Sequence, residues 1–175
     1  MQGKNHPKTD LIRRHLEYLH FYPNSVEANY NLGLAYLQAG QLEEALLQFQ
    51  RALDLRPTLA EAYINMGGIF FRQGKLDECI QANQKALEIF PESFQALSNL
   101  CFALLQKGMW EQALDYGRRA LEANPESAVV HHHLALALHK LGRSKEASYH
   151  LDRSESLGFK ADLELRSSIK EGASP

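Results

Sequence analysis

Residues 26–57 read VEANYNLGLAYLQAGQLEEALLQFQRALDLRP, and residues 60–91 read AEAYINMGGIFFRQGKLDECIQANQKALEIFP. The two stretches align without a gap, and each has a glycine near its middle and a proline at its end. The same markers recur at 34-residue intervals, as Gly40, Gly74, Gly108 and Gly142 and as Pro23, Pro57, Pro91 and Pro125. Two independent markers on one period indicate a single structural unit that is copied head to tail.

Each unit is predicted to be a helix–turn–helix. The apolar positions in residues 26–37 and 42–55 follow helical rather than strand spacing. The glycine ends the first helix, because a left-handed conformation costs glycine little, and the proline stops the second helix. Such a unit cannot bury its apolar face alone and must stack on its neighbours. The expected fold class is therefore an all-α solenoid.

Large and small side chains alternate at fixed heights of the repeat. In the first helix a large residue precedes a small one, as Leu32-Gly33, Met66-Gly67, Leu100-Cys101 and Leu134-Ala135. In the second helix a small residue recurs, as Ala45, Cys79, Ala113 and Ala147. Small columns let two helix backbones approach, and large columns fill the adjoining gaps. We therefore interpret Cys79 and Cys101 as buried packing residues.

This pattern resembles the tetratricopeptide repeat (TPR) family over residues 26–159. The resemblance rests on Leu32-Gly33, Tyr36, Gly40, Ala45, Phe49, Ala52 and Pro57, and on Tyr63, Met66-Gly67, Phe70, Gly74, Ala86 and Pro91. It implies a right-handed superhelix in which the first helices of successive units line a concave face. The sequence departs from the pattern at Asn83 and Gly117, which stand in the column of Phe49, and at Phe159, which replaces the last proline.

The predicted organisation has four repeats between two flanks. The repeats span residues 26–59, 60–93, 94–127 and 128–161, and the flanks are residues 1–25 and 162–175. In the first flank a helix is expected over residues 10–21, either as a capping helix or as the remainder of a longer array. In the second flank Asp162 is expected to cap a short helix through Ile169 that covers the end of the stack.

Composition and charge argue against several classes of function. The 175 residues include 19 Lys+Arg and 21 Asp+Glu, so the concentrated basic surface that nucleic acids require is missing. No apolar run approaches the roughly 18 residues of a membrane span. The start, MQGKNHPKTD, is polar and has no signal-peptide core, which favours a cytoplasmic location.

The resemblance implies which side chains face the concave groove. One inward column holds Asn31, Asn65, Asn99 and His133. The other columns are mostly apolar and contribute Tyr30, Leu34, Leu37, Ile64, Gly68, Phe71, Phe102 and Leu105, with Arg72 at the rim. A contiguous exposed apolar groove is typical of a binding site. These residues form the predicted peptide-binding site.

The three asparagines predict a ladder of amides along the groove. A primary amide has both donors and acceptors, so it can bond the backbone of an extended peptide without reading its side chains. The alternative is that each amide bonds a neighbouring helix or water.

An apolar or amphipathic partner segment is expected rather than an acidic tail. Members of the family that hold acidic chaperone tails use lysine, asparagine and arginine on the inward columns. The matching places here are occupied by Tyr30, Leu34, Asn65, Gln95 and Asn99, so every basic residue is missing.

Histidines cluster in the fourth unit, as His131, His132, His133, His139 and His150. No cysteine or carboxylate stands at ligand spacing around them, so a polar end of the groove or solvated side chains are expected rather than a metal site. The sequence also contains no phosphate loop, GxSxG, HExxH or DxD-type carboxylate pair. We therefore predict no catalytic residues, no cofactor and no enzyme activity.

The function predicted from these features is a non-enzymatic scaffold that binds a peptide or amphipathic helix of a partner protein in its concave groove. One alternative is a self-assembly module, a homo-oligomer in which residues 11–22 fill the groove of the same or a neighbouring chain. Others are the targeting domain of a longer protein and, less favoured, a secretion-type chaperone.

Overall fold

A computed structural model describes residues 7–160 and 163–172 of the chain, without the side chains of residues 7–9. These residues form ten helices: α1 (Pro7–Phe21), α2 (Val26–Ala39), α3 (Leu42–Leu55), α4 (Ala60–Arg72), α5 (Leu76–Ile89), α6 (Phe94–Gln106), α7 (Trp110–Ala123), α8 (Ala128–Lys140), α9 (Ser144–Ser156) and α10 (Leu163–Glu171). None of the described helices combines the length and the hydropathy that a membrane-spanning helix needs.

The helices pair in chain order and stack in one direction. The closest pairs are α2 with α3, α4 with α5, α6 with α7, and α8 with α9, and each pair also contacts the next. The first helices touch one another directly, since α4 contacts α6 and α6 contacts α8. This arrangement confirms the predicted all-α solenoid of stacked helix–turn–helix units.

Serine and glycine mark the ends of the first helices. The side chains of Ser25, Ser93 and Ser127 each accept a hydrogen bond from the backbone N–H three residues on, which satisfies one of the free donors at the helix start. At the other end, the chain turns through a left-handed residue such as Gly40, with φ of 78°. The turn glycines thus act as the sequence predicted.

In the first two units, the second helix packs directly against a small residue of the first. A Cβ added to Gly33 would lie 2.7 Å from Phe49 Cε1, and one added to Gly67 would lie 2.2 Å from Asn83 Nδ2. In the third unit the column of Phe49 holds Gly117, and Leu134 of the next unit fills the space beside it. At Asn83 and Gly117, the two departures from the repeat pattern in the column of Phe49, neighbouring residues therefore pack against the altered positions.

The two flanks cover the ends of the stack. Helix α1 begins at Pro7, earlier than the predicted start at residue 10, because proline suits the first turn of a helix. It packs Ile12 and Leu19 against α2. At the other end, α10 buries Leu165 and Ile169. The expected cap at Asp162 lies outside the described residues.

Candidate functional site

A cavity of about 420 Å³ opens between α4 and α6 on the face formed by the first helices. Its lining includes six residues of the predicted site, namely Leu37, Ile64, Asn65, Gly68, Arg72 and Asn99. Phe94, Gln95, Ser98 and Ile69 complete the lining. The inward columns of the first three units therefore meet around one concave space.

A row of contacting aromatic rings runs along the same face across three units. The ring centroids of Phe71 and Phe102 are 4.7 Å apart, and Phe102 stacks on His133 at 4.5 Å with an interplanar angle of 4°. A second cavity of about 80 Å³ lies beneath this row, lined by Gly68, Phe71, Cys79, Asn99 and Phe102. The aromatic residues thus join successive first helices and also border the groove.

The remaining predicted residues lie away from the two cavities. Tyr30 and Leu34 are half-buried and pack against the core of the first unit, and Leu105 packs against the core of the later units. Asn31 is exposed on α2. These four residues extend the concave face at its ends without lining the central space.

The hydroxyl of Tyr30 links the first two units. It accepts a hydrogen bond of 3.0 Å from Asn65 Nδ2, and its ring lies 5.6 Å from that of Phe49. Burial raises the pKa of the Tyr30 hydroxyl, although the hydrogen bond from Asn65 opposes this effect. Tyr30 is therefore a neutral side chain at neutral pH.

The three asparagines have different environments. Asn65 Nδ2 also donates to the backbone oxygen of Glu61, so both of its amide hydrogens are used within the protein. Asn99 Nδ2 donates to Asn83 Oδ1 at 3.1 Å. No described residue donates to the amide oxygen of Asn65 or of Asn99. These oxygens are consequently acceptors that a bound segment can use.

Asn83 is a polar residue of this region that the sequence analysis did not assign to a role. Its side chain is fully buried, and its Nδ2 donates to the backbone oxygen of Cys79 at 2.8 Å. It therefore connects the core of the second unit to Asn99 in the groove. The signal that could have identified it is an amide in a column where the first unit has Phe49.

His133 ends the asparagine column as a neutral ring. It is 8% exposed, and burial with a smaller effect of His132 lowers its pKa to about 4. Its Nδ1 has no hydrogen-bond partner among the described residues. Because protonation of a ring stacked on Phe102 would bury a charge, His133 stays uncharged at neutral pH.

Of the two expectations for the histidines, a polar end of the groove or solvated side chains, the second does not hold for His131, which is buried. Its Nδ1 lies 2.9 Å from Nδ1 of His150 in the neighbouring helix α9. Its Nε2 lies 3.2 Å from the backbone oxygen of Pro125, which can only accept, so Nε2 carries the hydrogen. Nδ1 of His131 then accepts from His150, and burial lowers the pKa of His150 to about 4. The pair joins α8 to α9 inside the fourth unit.

His132 and His139 are also engaged. The ring of His132 stacks on Phe159 at 4.4 Å, and His139 Nε2 lies 3.2 Å from Ser168 Oγ. Across residues 7–160 and 163–172, no three histidine, cysteine or carboxylate side chains converge as they would around a metal ion.

Comparison with known proteins agrees with the geometry of the repeat. Four family models match consecutive parts of the chain. The one described as "TPR repeat" matches residues 33–74, and those described as "Tetratricopeptide repeat" match residues 16–47, 58–123 and 103–157. No curated protein sequence matches the chain significantly.

Solved structures share the fold at low sequence identity. MamA residues 41 to the end from Desulfovibrio magneticus has a TM-score of 0.79 at 21% identity, over 86% of this chain and 85% of that one. YrrB, described as a TPR protein with an unusual peptide-binding site, has a TM-score of 0.75 at 18% identity, over 91% and 81%.

A third structure, PilF of Pseudomonas aeruginosa, has a TM-score of 0.75 at 20% identity, over 94% of this chain and 88% of that one. Likenesses at this level of identity concern the fold alone. The four family models, which together span residues 16–157, show that the chain belongs to the tetratricopeptide repeat family.

Proposed function

We propose that the chain is a protein-interaction scaffold that binds an extended peptide, or one face of an amphipathic helix, of a partner protein in its concave groove. The observation that carries this proposal is the cavity of about 420 Å³ between α4 and α6, which gathers six residues of the predicted site. The fold is typically a non-catalytic protein-binding scaffold, and the related structure YrrB is described as having a peptide-binding site.

The groove offers two kinds of interaction to such a segment. Leu37, Ile64 and Phe94 present apolar surface, and its burial contributes about 25 cal/mol per Å². The amide oxygens of Asn65 and Asn99 are free to accept backbone N–H groups, at about 0.5–1.5 kcal/mol per bond. The asparagine ladder is thus proposed to act through its oxygens, since its hydrogens are partly used inside the protein.

Affinity capture with three baits tests where the partner binds. The baits are the wild-type chain, Ile64→Asp in the groove, and Gln81→Asp on the exposed side of α5 as the matched control. A protein that is retained by the wild type and Gln81→Asp and lost by Ile64→Asp places recognition in the groove. Equal retention by all three baits excludes the groove as the binding site.

The second candidate is self-assembly through α1, with an apolar side of this helix in the groove of another copy. The observation that favours it is the exposure of Tyr18, Phe21 and Tyr22, at 51%, 74% and 57%, on one side at the end of the helix. Light scattering across a concentration series tests it with a Tyr18→Asp, Phe21→Asp variant. A dimer that is lost in the variant supports self-assembly, and an unchanged mass in both proteins excludes it.

The cytoplasmic location and the roles of targeting domain or secretion-type chaperone remain predictions from the sequence. Fractionation of cells that express the full-length protein checks the location. Pull-down of secreted clients checks the chaperone role.

A further inference from the structure

Gly68 has no role in the packing of the repeat. It lies in the middle of α4, where glycine weakens a helix relative to alanine. A Cβ added to Gly68 would meet nothing within 4 Å, whereas the neighbouring Gly67 is required by its contact with Asn83. The φ of Gly68 is not positive, so its backbone does not need glycine either. The fold therefore explains Gly67 and leaves Gly68 unexplained.

The missing side chain at Gly68 opens the centre of the groove. The same column holds Leu34, Phe102 and Leu136 in the other units, so only the second unit has a gap there. Both groove cavities, of about 420 and 80 Å³, are lined by Gly68 and Asn99. Their walls include Ile64, Phe71 and Phe102, which makes the gap at Gly68 an apolar recess rather than a polar one.

Arg72 places a positive charge beside this recess. It follows Gly68 by one helical turn, is exposed, and lines the larger cavity. No ion pair or hydrogen bond joins its guanidinium to another described residue, and no acidic side chain lines the cavity. An apolar recess next to an unpaired guanidinium is complementary to an apolar side chain with a carboxylate close by.

We propose that the recess at Gly68 fixes the register of the bound segment by accepting one large apolar side chain, while Arg72 binds an aspartate or glutamate of the same segment. This inference rests on the proposed function and adds to it the chemistry of the partner. The partner segment is extended, mainly uncharged along the groove, and carries an apolar residue with an acidic residue within a few positions of it.

A library of short random peptides with amidated C-termini tests the proposal, because any carboxylate must then come from a side chain. The library is selected on the wild-type chain, and the selected peptides are measured against Gly68→Ala, Gly68→Leu and Arg72→Gln. Gln81→Leu is the control for the added leucine, and Lys140→Gln, in the column of Arg72, is the control for the lost charge.

The expected consensus is one large apolar residue with an acidic residue at a fixed distance. Gly68→Leu fills the recess and weakens the binding of these peptides by about 10- to 200-fold. Gly68→Ala weakens their binding by less than Gly68→Leu does. Arg72→Gln weakens the binding of these peptides by about two- to fivefold and removes part of the dependence of their affinity on ionic strength. Both control variants bind as the wild type does.

Two results overturn the inference in distinguishable ways. Peptides that bind Gly68→Leu as tightly as the wild type, yet are lost by Ile64→Asp, reject the recess and leave groove binding intact. A library from which the wild-type chain selects nothing rejects groove binding of peptides itself. Gly68→Ala keeps the test valid if Gly68→Leu does not fold, because the alanine variant is expected to unfold at a higher temperature than the wild type.

Discussion

Asn99 Nδ2 donates a hydrogen bond of 3.1 Å to Oδ1 of Asn83, and this bond joins the groove to the core of the neighbouring unit. Asn83 is fully buried and has its own Nδ2 bonded to the backbone of Cys79. Of the two roles that the sequence left open for this amide, contact with a peptide and a bond to a neighbouring helix, the structure shows the second for the Nδ2 group of Asn99. Substitutions in the asparagine column must therefore be judged by stability as well as by binding.

The first prediction concerns this bond. Asn99→Ala is expected to lower the free energy of unfolding by about 1–3 kcal/mol, because Oδ1 of Asn83 loses its donor in a buried position. Asn31→Ala is the matched control, since Asn31 is exposed and should change stability by less than about 0.5 kcal/mol. Urea unfolding followed by circular dichroism measures both. Equal losses in the two variants would show that the bond contributes nothing specific.

The second prediction compares two adjacent glycines. Gly67→Ala should destabilise the chain by about 1–3 kcal/mol, because its Cβ would lie 2.2 Å from Asn83 Nδ2 in a packed core. Gly68→Ala should stabilise it by about 0.5–1 kcal/mol, because the new methyl group meets no atom and alanine reduces the conformational entropy of the unfolded chain. Thermal unfolding of the two variants checks the opposite signs, and a shift in the same direction contradicts the packing described here.

The third prediction is a loss of stability in mild acid. The pKa of His133 is about 4 in the folded chain, below the ordinary value of 6.5, so the unfolded chain binds the proton more readily. The titration of His133 should therefore leave the free energy of unfolding unchanged above about pH 6.5. As the pH falls toward about 4, this free energy should decrease by up to about 3 kcal/mol.

The matched variant for this effect is His133→Phe, which can keep the stacking on Phe102 and cannot be protonated. Its free energy of unfolding should fall less steeply between pH 6.5 and 4 than that of the wild type. Some pH dependence should remain, because the pKa values of His131 and His150 are also lowered. Identical slopes in urea titrations at several pH values would contradict the role of His133.

The fourth prediction concerns the two thiols. Burial raises the pKa of Cys101 to about 12, and both Cys101 and Cys79 are free and almost completely buried. Alkylating reagents act on the exposed thiolate, so neither residue should react at mildly alkaline pH while the chain is folded. Mass spectrometry after labelling, with and without denaturant, measures this. Rapid labelling of native protein would show that the repeats open locally.

The sequence was sufficient to predict the repeat because its signals are local. The 34-residue spacing of Gly40, Gly74 and their equivalents defines helix ends, and the alternation of Leu32-Gly33 with Ala45 defines which faces meet. The resemblance to the repeat family implies the inward columns, and six residues of the predicted site do line one cavity. The helix ends and the contacting faces need only the geometry of one helix pair, whereas the inward columns also depend on how the units stack.

The sequence could not predict what those side chains bind within the protein. Asn65 bonds Tyr30 of the preceding unit, Asn99 bonds Asn83, and His131 bonds His150. The partners lie between 16 and 35 residues apart, on helices whose relative rotation no local pattern records.

The sequence by itself determined the period, the helix pairs and the faces that they present, because those follow from turn residues and from the 3.6-residue periodicity. Only the tertiary structure decided that the side chain of Asn83 occupies the space beside Gly67 while the space beside Gly68 stays empty. The reason is that this space depends on how closely the second helix and the next unit approach. The repeat columns already assign Gly67 to helix packing and Gly68 to the groove face, and the tertiary structure adds how much space each of them leaves.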